Sequence, residues 1–445
     1  MKKLLFLLKN NNFYQFQKEI IKEHPKDIAL FFKEVDNNSL LKLFKLLPKD
    51  IASDVFSYLS SEKQKELAEK ITDKEISDIL QNMFLDDTVD FIEEMPSEIV
   101  NKILRNSSEK SRSLINQFLN YPEDSAGSIM TSEYVSLKGS MKVFEALNYI
   151  RTLKNIKNET MDYFYIVSST GKLNGILSIK DLIMNQGDEI IKNIMVKDIK
   201  YVTTFDDQEE VASKFRNYDF TSMPVVDKDH RLVGIITIDD IVDIIDKENT
   251  EDLQKMAAMS PSDKEYLNES VFSLAKHRII WLLVLMISAT ATGIIIRKYE
   301  EVLQSVVILA AFIPMLMDTG GNAGSQSSTL IIRGMALGEI TLSDSLKVLW
   351  KEFRVSLIVG ITLGGLNFIR LVAIDKISYS LAFVVCSSLF ATVVIAKIVG
   401  GVLPIGAKSL KLDPAIMASP LITTIVDACA LIIYFKLATE LLNLR

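Results

Sequence analysis

The sequence is poor in the residues that build disulfide frameworks and soft-metal sites. It contains two cysteines, Cys386 and Cys429, and three histidines in 445 residues. Both cysteines lie inside apolar runs, and the histidines are far apart in the chain. Neither a disulfide scaffold nor a thiolate metal centre is indicated, and the histidines do not form the ligand pattern of a zinc site.

Signatures of enzymes and of nucleic-acid-binding proteins are also missing. The chain carries 50 Lys and Arg against 57 Asp and Glu, and this acidic balance gives no basis for a nucleic-acid partner. We find no nucleophile paired with a base, no phosphate-binding loop joined to a strand and a lysine, and no transition-metal cluster. The sequence therefore predicts a protein that is not an enzyme.

Charge and hydropathy divide the chain near residue 270. Lys, Asp and Glu are frequent before this point, whereas long apolar runs with few charges follow it. The first residues, MKKLLFLL, lead into Lys and Asn without a small-residue cleavage site, so they do not form a signal peptide. We therefore expect cytoplasmic domains followed by a membrane domain.

Residues 1–128 predict a domain of short stacked helices. Similar helix starts recur about every 24 residues, and each leads into an apolar-periodic segment. Proline is favourable in the first turn of a helix, and an acid there meets the positive end of the helix dipole. A repeat of this length predicts a superhelical α-domain. The helix starts are Pro25, Pro48, Asp73, Pro96 and Pro122.

An acidic group stands out in this domain. Asp86 and Asp90 are four residues apart, so they share one helix face and repel each other unless a cation lies nearby. The residues alone allow either a solvated acidic face or a cation site.

Residues 129–250 contain two copies of one strand, turn, strand and helix pattern. YIVSSTGKLNGILSIKDLI at 165–183 matches PVVDKDHRLVGIITIDDIV at 224–242. The two halves, 129–193 and 194–250, resemble tandem cystathionine-β-synthase (CBS) domains, which implies an α/β fold that commonly binds adenine nucleotides or metal ions. The shared motif consists of Gly175, Ser178, Asp181 and then Gly234, Thr237, Asp240.

Ser178, Asp181 and Thr237 admit two interpretations. In CBS domains the matching residues hold the ribose and phosphates of a nucleotide such as ATP. The alternative is that the hydroxyls cap helices and that the acids occupy the first helical turns.

The chain becomes strongly acidic at the end of the second copy. Asp240 and Asp243 share one helix face, and Asp219 lies on the preceding segment. Oxygen ligands of this kind suit Mg²⁺ or Ca²⁺. Residues 251–270 predict a polar connecting helix that leads straight into the membrane domain.

Residues 271–445 contain five apolar segments close to the roughly 20 residues that a membrane span requires. The second segment contains PMLMDTGGNAGSQ, from Pro314 to Gln326, whose small and polar residues do not suit a lipid-facing helix. We expect interrupted backbone here, lining part of a permeation pathway. The segments lie at about 279–296, 302–333, 355–374, 379–403 and 416–438.

The fifth segment carries an acid, Asp427, near its middle. Burying a carboxylate there costs at least about 2.5 to 3.5 kcal/mol, so Asp427 should face a cavity, a partner helix or an ion. Thr423 lies one turn earlier on the same face, and Asp413 is a further ligand candidate at the cytosolic mouth. Such oxygen ligands suit hydrated Mg²⁺. Lys397, in the fourth segment, either reaches the membrane surface or pairs with an acid.

The order of these parts resembles the MgtE family of bacterial magnesium channels. The resemblance covers nearly the whole chain, and its membrane signatures are Pro314–Gln326 and Pro420–Asp427. It implies a homodimer whose pore lies between the second and fifth spans, with Asp427 as the main ligand of Mg²⁺. Along this pore it places Pro314, Gly321, Asn322 and Thr423. As intracellular Mg²⁺ sensors it implies Asp86, Asp90, Asp219, Asp240, Asp243, Glu248, Glu251 and Asp252.

We therefore predict a multidomain membrane protein with an α-helical superhelical domain, an α/β CBS pair, a connecting helix and five transmembrane helices. It would mediate Mg²⁺ uptake across the plasma membrane of a bacterium, and its partners would be Mg²⁺, membrane lipid and a second copy. Cytosolic Mg²⁺ would close the pore by bridging acids of the helical domain, the CBS pair and the connecting helix. The alternatives are a transporter of Mn²⁺ or Co²⁺, or a non-conducting sensor that signals through the CBS pair.

Overall fold

The computed structural model describes residues 2–10, 12–153, 159–262, 266–267, 269–417 and 419–443. The chain forms two compact units, residues 1–245 and 246–445. We refer to them as the N-terminal unit and the membrane unit.

The described part of the N-terminal unit begins with a series of short helices. The predicted starts hold at four positions: α3 begins at Pro25, α7 begins at Asp73, and the residues before α5 and α9 are Pro48 and Pro96. The helices are α1 Lys2–Lys9, α2 Phe13–Ile20, α3 Pro25–Lys33, α4 Asn37–Phe44, α5 Lys49–Ser57, α6 Ser61–Lys70, α7 Asp73–Asn82, α8 Leu85–Glu93, α9 Ser97–Asn106 and α10 Glu109–Phe118.

The expected helix start at Pro122 is wrong. The chain forms turns after this residue, and Asp124 adopts a left-handed conformation with φ of 58°. That conformation cannot continue a right-handed helix. The Asp124 carboxylate instead accepts a hydrogen bond of 2.8 Å from the side chain of Gln208, which ties this turn to the second CBS copy.

Helices one repeat apart pack on each other, as a superhelical domain requires. α3 contacts α5, α5 contacts α7, and α7 contacts α9. The rings of Phe56 and Phe91 meet edge to face at 5.0 Å in the core beneath them. This core continues without a break into the second CBS copy, where it includes Val211 and Phe215.

Each CBS copy forms a three-stranded sheet in which the first two strands are parallel and the last two antiparallel. The copies have the same register, since Tyr163 pairs with Ser178 in one and Ser222 pairs with Thr237 in the other. The elements are β1 Ser136–Lys138, α11 Val143–Thr152, β2 Tyr163–Val167, β3 Leu173–Ser178, α12 Ile179–Met184, α13 Ile191–Ile194, β4 Val202–Thr203, α14 Gln208–Tyr218, β5 Ser222–Val226, β6 Leu232–Thr237 and α15 Ile238–Met256.

The predicted connecting helix over 251–270 is wrong at both ends. α15 starts at Ile238, directly after β6, and ends at Met256. Ala258 is left-handed with φ of 52°, and Pro261 follows, so the helix cannot continue. The Gln254 side chain then pairs with the backbone of Ser262 through hydrogen bonds of 2.7 and 3.1 Å, which stabilises the end of the helix.

The described residues of the membrane unit include five helical segments long and apolar enough to cross a membrane, as the sequence predicted. The most buried is α20, which packs against α18, α19 and α21, while α18 also packs on α21 and α16 on α21. The helices are α16 Val271–Lys298, α17 Glu300–Ser305, α18 Ile313–Ala336, α19 Ser345–Ala373, α20 Tyr379–Ser409 and α21 Ser419–Leu441, with 3₁₀ turns at Val307–Phe312, Leu342–Asp344 and Pro414–Met417.

The backbone of Pro314–Gln326 is not interrupted, which corrects the expectation from the sequence. Pro314 lies in the first turn of α18, where its missing N–H costs no hydrogen bond. The irregular backbone comes before it, at Val306 and the 3₁₀ turn that follows. The glycines therefore serve close packing of a continuous helix.

α18 and α20 approach each other backbone to backbone at one pair of glycines. A Cβ atom added to Gly400 would lie 2.3 Å from the carbonyl oxygen of Gly324, a distance that no side chain can accept. Gly320 and Gly321 make similarly close contacts with Thr392 and Thr423.

We expect Gly400→Ala to destabilise the membrane unit by about 1 to 3 kcal/mol, because the added methyl group pushes α18 and α20 apart. Gly406→Ala is the matched control, since it lies in the same helix and nothing is within 4 Å of its added Cβ. That change should be neutral or stabilise the helix by up to about 1 kcal/mol. The thermal unfolding midpoint of the full chain in detergent measures both; equal midpoints would contradict this packing.

Candidate functional site

One face of α18 is polar although the helix packs against both α20 and α21. Asp318, Asn322 and Gln326 follow at intervals of four residues and are exposed in the single chain. This spacing places them along one stripe of the helix. Predicted pore residue Pro314 begins the same stripe and is also exposed.

Thr423 and Gly321 are brought together, as the prediction of a shared pore requires. A Cβ at Gly321 would be 2.8 Å from the Thr423 methyl group and 3.3 Å from its hydroxyl oxygen. α21 therefore lies directly against the glycine-rich side of α18, beside the polar stripe.

Asp427 lies one turn further along α21 and is only partly exposed. Its Oδ1 atom is buried and has no hydrogen-bond partner among the described residues. Asp318 is close enough to act on this carboxylate electrostatically. Two acids from different spans therefore face the same region, which is an arrangement that attracts a cation.

Sequence reasoning missed Asp318 as a site residue. The signal was available, because this acid stands inside the very stretch that was identified as unsuited to lipid.

Asp413 does not stand alone at the start of α21. Its Oδ2 atom accepts a hydrogen bond of 2.6 Å from the Lys255 ammonium, which also donates to Glu251 at 2.5 Å. Burial opposes the charge of Lys255, but these two carboxylates outweigh it and raise the pKa of the lysine. Burial and the charge of Asp413 raise the pKa of Asp252, on the same helix.

These contacts bring part of the predicted sensor set together within the membrane unit. Glu251, Asp252 and Asp413 share the neighbourhood of Lys255, while Glu248 lies one turn earlier on α15. The C-terminal half of α15 also contacts α18, because Arg333 donates a hydrogen bond of 3.3 Å to Asn249. Met256 packs against Ile332 and Ala415.

In the N-terminal unit, four predicted sensor residues line one cleft of about 920 Å³. Asp86 and Asp90 come from α8, and Asp240 and Asp243 from α15. Additional acids line it that sequence reasoning did not assign to the site, namely Asp54, Asp87, Glu159 and Asp239. We call this the acidic cleft. Asp219 does not line it and instead caps the end of α14 in a left-handed conformation.

Burial and neighbouring acids disfavour the charged forms of several carboxylates in the acidic cleft. Burial and the nearby charge of Asp240 raise the pKa of Asp86 well above its ordinary value, and the Oδ1 atom of Asp86 has no hydrogen-bond partner among the described residues. Desolvation and the charge of Asp87 raise the pKa of Asp90 to about 7. Desolvation likewise raises the pKa of Asp240 to about 6, against a hydrogen bond from Thr237. A cation in the cleft would relieve this repulsion.

The described residues contain no group of three His, Cys, Asp or Glu side chains placed to ligate one metal ion directly. The carboxylates of the cleft are spaced around its walls instead. Such spacing suits an ion that keeps much of its water, as Mg²⁺ commonly does.

The hydroxyls predicted to bind nucleotide act as helix caps in this structure. Ser178 Oγ donates to Asp181 at 2.6 Å and accepts from the backbone N–H of the same residue at 3.1 Å. Thr237 Oγ1 donates to Asp240 at 2.8 Å in the second copy. Both belong to the capping arrangement that the sequence left open as the alternative.

Three family models match consecutive parts of the chain. The model of the MgtE intracellular N domain matches residues 23–124, and the CBS-domain model matches 126–187 and 191–247. The MgtE model, described as a divalent cation transporter, matches residues 313–437. The order of the matches agrees with the order of the parts in the structure.

Relatives of known name cover nearly the whole chain. The magnesium transporter MgtE of Thermus thermophilus is 36% identical, over 96% of this chain and 95% of its own length. The magnesium transporter MgtE of Bacillus subtilis is 33% identical, over 99% of this chain and 97% of its own. A crystal structure of the cytosolic domain of the Mg²⁺ channel MgtE in complex with ATP is 33% identical and covers 54% of this chain and 98% of that one, with a TM-score of 0.52.

These similarities are neither partial nor confined to the CBS copies, which recur in many proteins. They extend through the helical domain and the five spans at identities above 30%. The chain belongs to the MgtE family of magnesium transporters.

Proposed function

We propose that this chain conducts Mg²⁺ through a pore formed by α18 and α21, with Asp427 as the main ion ligand. The observation that carries the proposal is the buried Oδ1 atom of Asp427, which lacks a partner and lies near Asp318. A carboxylate in a membrane helix without a protein partner is costly unless it serves an ion. Thr423, one turn earlier on α21, and Asn322, on the polar stripe of α18, are the further oxygen ligands of this proposal.

The polar stripe of α18 supports a homodimer. Asp318, Asn322 and Gln326 are exposed in the single chain, and lipid cannot satisfy these groups. A second copy that covers this stripe would enclose a polar path between the two α18 helices. The mass of the protein in nanodiscs tests this; a monomer that conducts would contradict it.

We infer further that the N-terminal unit is cytoplasmic and senses Mg²⁺ through the acidic cleft. Without a cation the acids of α8 and α15 repel each other, and Mg²⁺ would draw the two helices together. α15 runs on without a break beyond the cleft, so its position can report the occupancy of the cleft. Mg²⁺ must bind the closed arrangement more tightly than the open one to shift the equilibrium.

A nucleotide such as ATP is the second ligand that we propose for the CBS pair. The support is the related cytosolic domain in complex with ATP. Ser178, Asp181 and Thr237 are the candidate contacts, and binding would have to replace their capping hydrogen bonds. Calorimetric titration of the full chain with ATP tests this, and an unaltered affinity in Thr237→Val would remove that residue from the site.

Of the two alternatives, transport of Mn²⁺ or Co²⁺ shares the architecture, whereas a non-conducting sensor would not need Asp427. The relatives that cover nearly the whole chain are magnesium transporters, so they favour neither alternative. Flux of each ion into proteoliposomes, with internal Mg²⁺ varied, separates the three functions in one assay.

Asp427→Asn should reduce Mg²⁺ flux into proteoliposomes to the level of empty vesicles, because it removes the negative charge that attracts the hydrated ion. Glu440→Gln is the control, since this exposed acid lies near the end of the same helix. Elution as a single folded species should be unchanged in both. Undiminished flux in Asp427→Asn would show that the main ligand lies elsewhere.

Asp86→Asn combined with Asp240→Asn should raise the internal Mg²⁺ concentration needed to inhibit flux, because two carboxylates of the cleft no longer attract the ion. Asp229→Asn, an exposed acid in a turn outside the cleft, is the control. An inhibition curve identical to that of the wild type would contradict sensing by this cleft.

The acidic cleft also predicts how pH affects stability. The pKa values of Asp90 and Asp240 are raised to about 7 and about 6. Protonation of these groups therefore stabilises the fold fully at pH values below the ordinary carboxyl pKa, and this stabilisation is lost as the pH rises through 6 and 7. The thermal midpoint without Mg²⁺ should therefore be lower at pH 8 than at pH 5, two values that lie about one unit either side of the two raised pKa values. Added Mg²⁺ should raise it more at pH 8.

Asp90→Asn with Asp240→Asn should flatten this dependence, while Asp229→Asn should leave it unchanged. A midpoint that rises with pH in the absence of Mg²⁺ would show that the cleft carboxylates are not strained by their neighbours.

A further inference from the structure

Three polar side chains from three different spans meet inside the membrane unit. The Lys397 ammonium on α20 donates a hydrogen bond of 3.3 Å to Ser327 Oγ on α18. The same hydroxyl donates to Glu352 Oε2 on α19 at 2.5 Å. The serine thus links the only cationic side chain in the described middle of α20 to an acid on another span.

This network is sealed from water and from lipid on the α18 and α20 sides. Ser327 is 1% exposed and Lys397 is 5% exposed. Lys397 therefore does not extend to the membrane surface, which was one of the two options that the sequence left open. An ammonium buried in this way requires a compensating charge, and Glu352 supplies it through the serine.

The network lies beside the tightest contact of the membrane unit. Ser327 follows Gly324 by three residues and Lys397 precedes Gly400 by three, so both flank the point where the backbones of α18 and α20 touch. The side chain of Glu352 packs there too, since its Cγ atom lies 3.7 Å from a Cβ added to Gly401.

The network is also on the far side of α18 from the polar stripe. Ser327 comes five residues after Asn322, which corresponds to a rotation of about 140° around the helix. A rotation or slide of α18 that broke the contacts of Ser327 would therefore displace Asn322 and Asp318 on the opposite side.

We propose that Lys397 and Glu352 are positioning residues. Through Ser327 they fix the rotation of α18 from the side opposite its polar stripe. The paired charges give α18 one preferred register against α20, where the glycines alone would permit sliding. The expected effect on flux rests on the proposed pore function. The coupling of the three residues rests on their geometry alone.

The test compares Lys397→Met, Glu352→Gln and the double variant in the full chain. Each single change leaves one buried charge uncompensated, so the thermal midpoint should fall and Mg²⁺ flux per folded molecule should drop by about tenfold or more. The double variant leaves neither charge alone, so its midpoint should recover towards that of the wild type, while its flux should stay reduced because the link that fixes α18 is gone. Lys408→Met, an exposed lysine near the end of the same helix, is the control.

Each outcome decides the proposal. Wild-type behaviour of both single variants would overturn it, as would a double variant whose midpoint is no better than that of the worse single variant or whose flux equals that of the wild type. Lower midpoints with unchanged flux per folded molecule would reduce the network to a stabilising contact and overturn the positioning role. Altered preference for Mg²⁺ over Co²⁺ in the surviving flux of the single variants would support it, since a general loss of folding does not change selectivity.

Two provisions keep the test decisive. If the single variants do not fold, the double variant and Ser327→Ala carry the comparison, because recovery of folding in the double variant alone already demonstrates the coupling. If the wild type carries no Mg²⁺ flux, the proposed pore function fails, while the midpoints of the four proteins still decide whether the two charges are coupled.

Discussion

The membrane unit is governed by the need to match every polar group that lies between apolar helices. α18 meets this need in two ways on its two sides. On the packed side, glycines let the backbones of α20 and α21 come close, and the Ser327 hydroxyl makes hydrogen bonds with both Lys397 and Glu352. On the other side Asp318, Asn322 and Gln326 are exposed in the single chain, where water, an ion or another polar surface must satisfy them.

The N-terminal unit differs, because it gathers several carboxylates around one cleft. Carboxylates from α8 and α15 face one another across the acidic cleft, and the pKa values of several are raised by burial and mutual repulsion. The surrounding core, continuous from the helical repeats into the second CBS copy, is what holds them there. The fold thus stores repulsion that either protons or divalent cations can relieve.

Periodicity and repetition made most of the fold predictable. The period of about 24 residues set the starts of α3, α5, α7 and α9, and the doubled motif around Ser178 and Thr237 gave two sheets of identical register. Five apolar runs gave five spans, although their ends extend beyond the apolar core because charged first and last turns remain helical. Local conformation was harder, because Asp124 and Ala258 adopt positive φ where a helix was expected. Aspartate tolerates this conformation, but many aspartates do not adopt it, and alanine does not favour it.

The sequence predicted those site residues that are unusual in their own segment, but not those that become neighbours only through packing of distant segments. Asp427 stood out as an acid in an apolar run. The neighbours of Lys397, in contrast, come from spans 45 and 70 residues away in sequence (352 and 327 against 397), and only packing brings them together. Asp54 and Glu159 joined the acidic cleft for the same reason, since nothing near them in sequence marks them as acids of a site.

The early end of α15 determines which membrane helices it contacts. Because the turn at Ala258 ends the helix, α15 does not run straight into α16. Its last turns bind Asp413 through Lys255 and Arg333 through Asn249. α15 is therefore attached along its side, and not at its tip, to the ends of the two spans that carry Asp318 and Asp427.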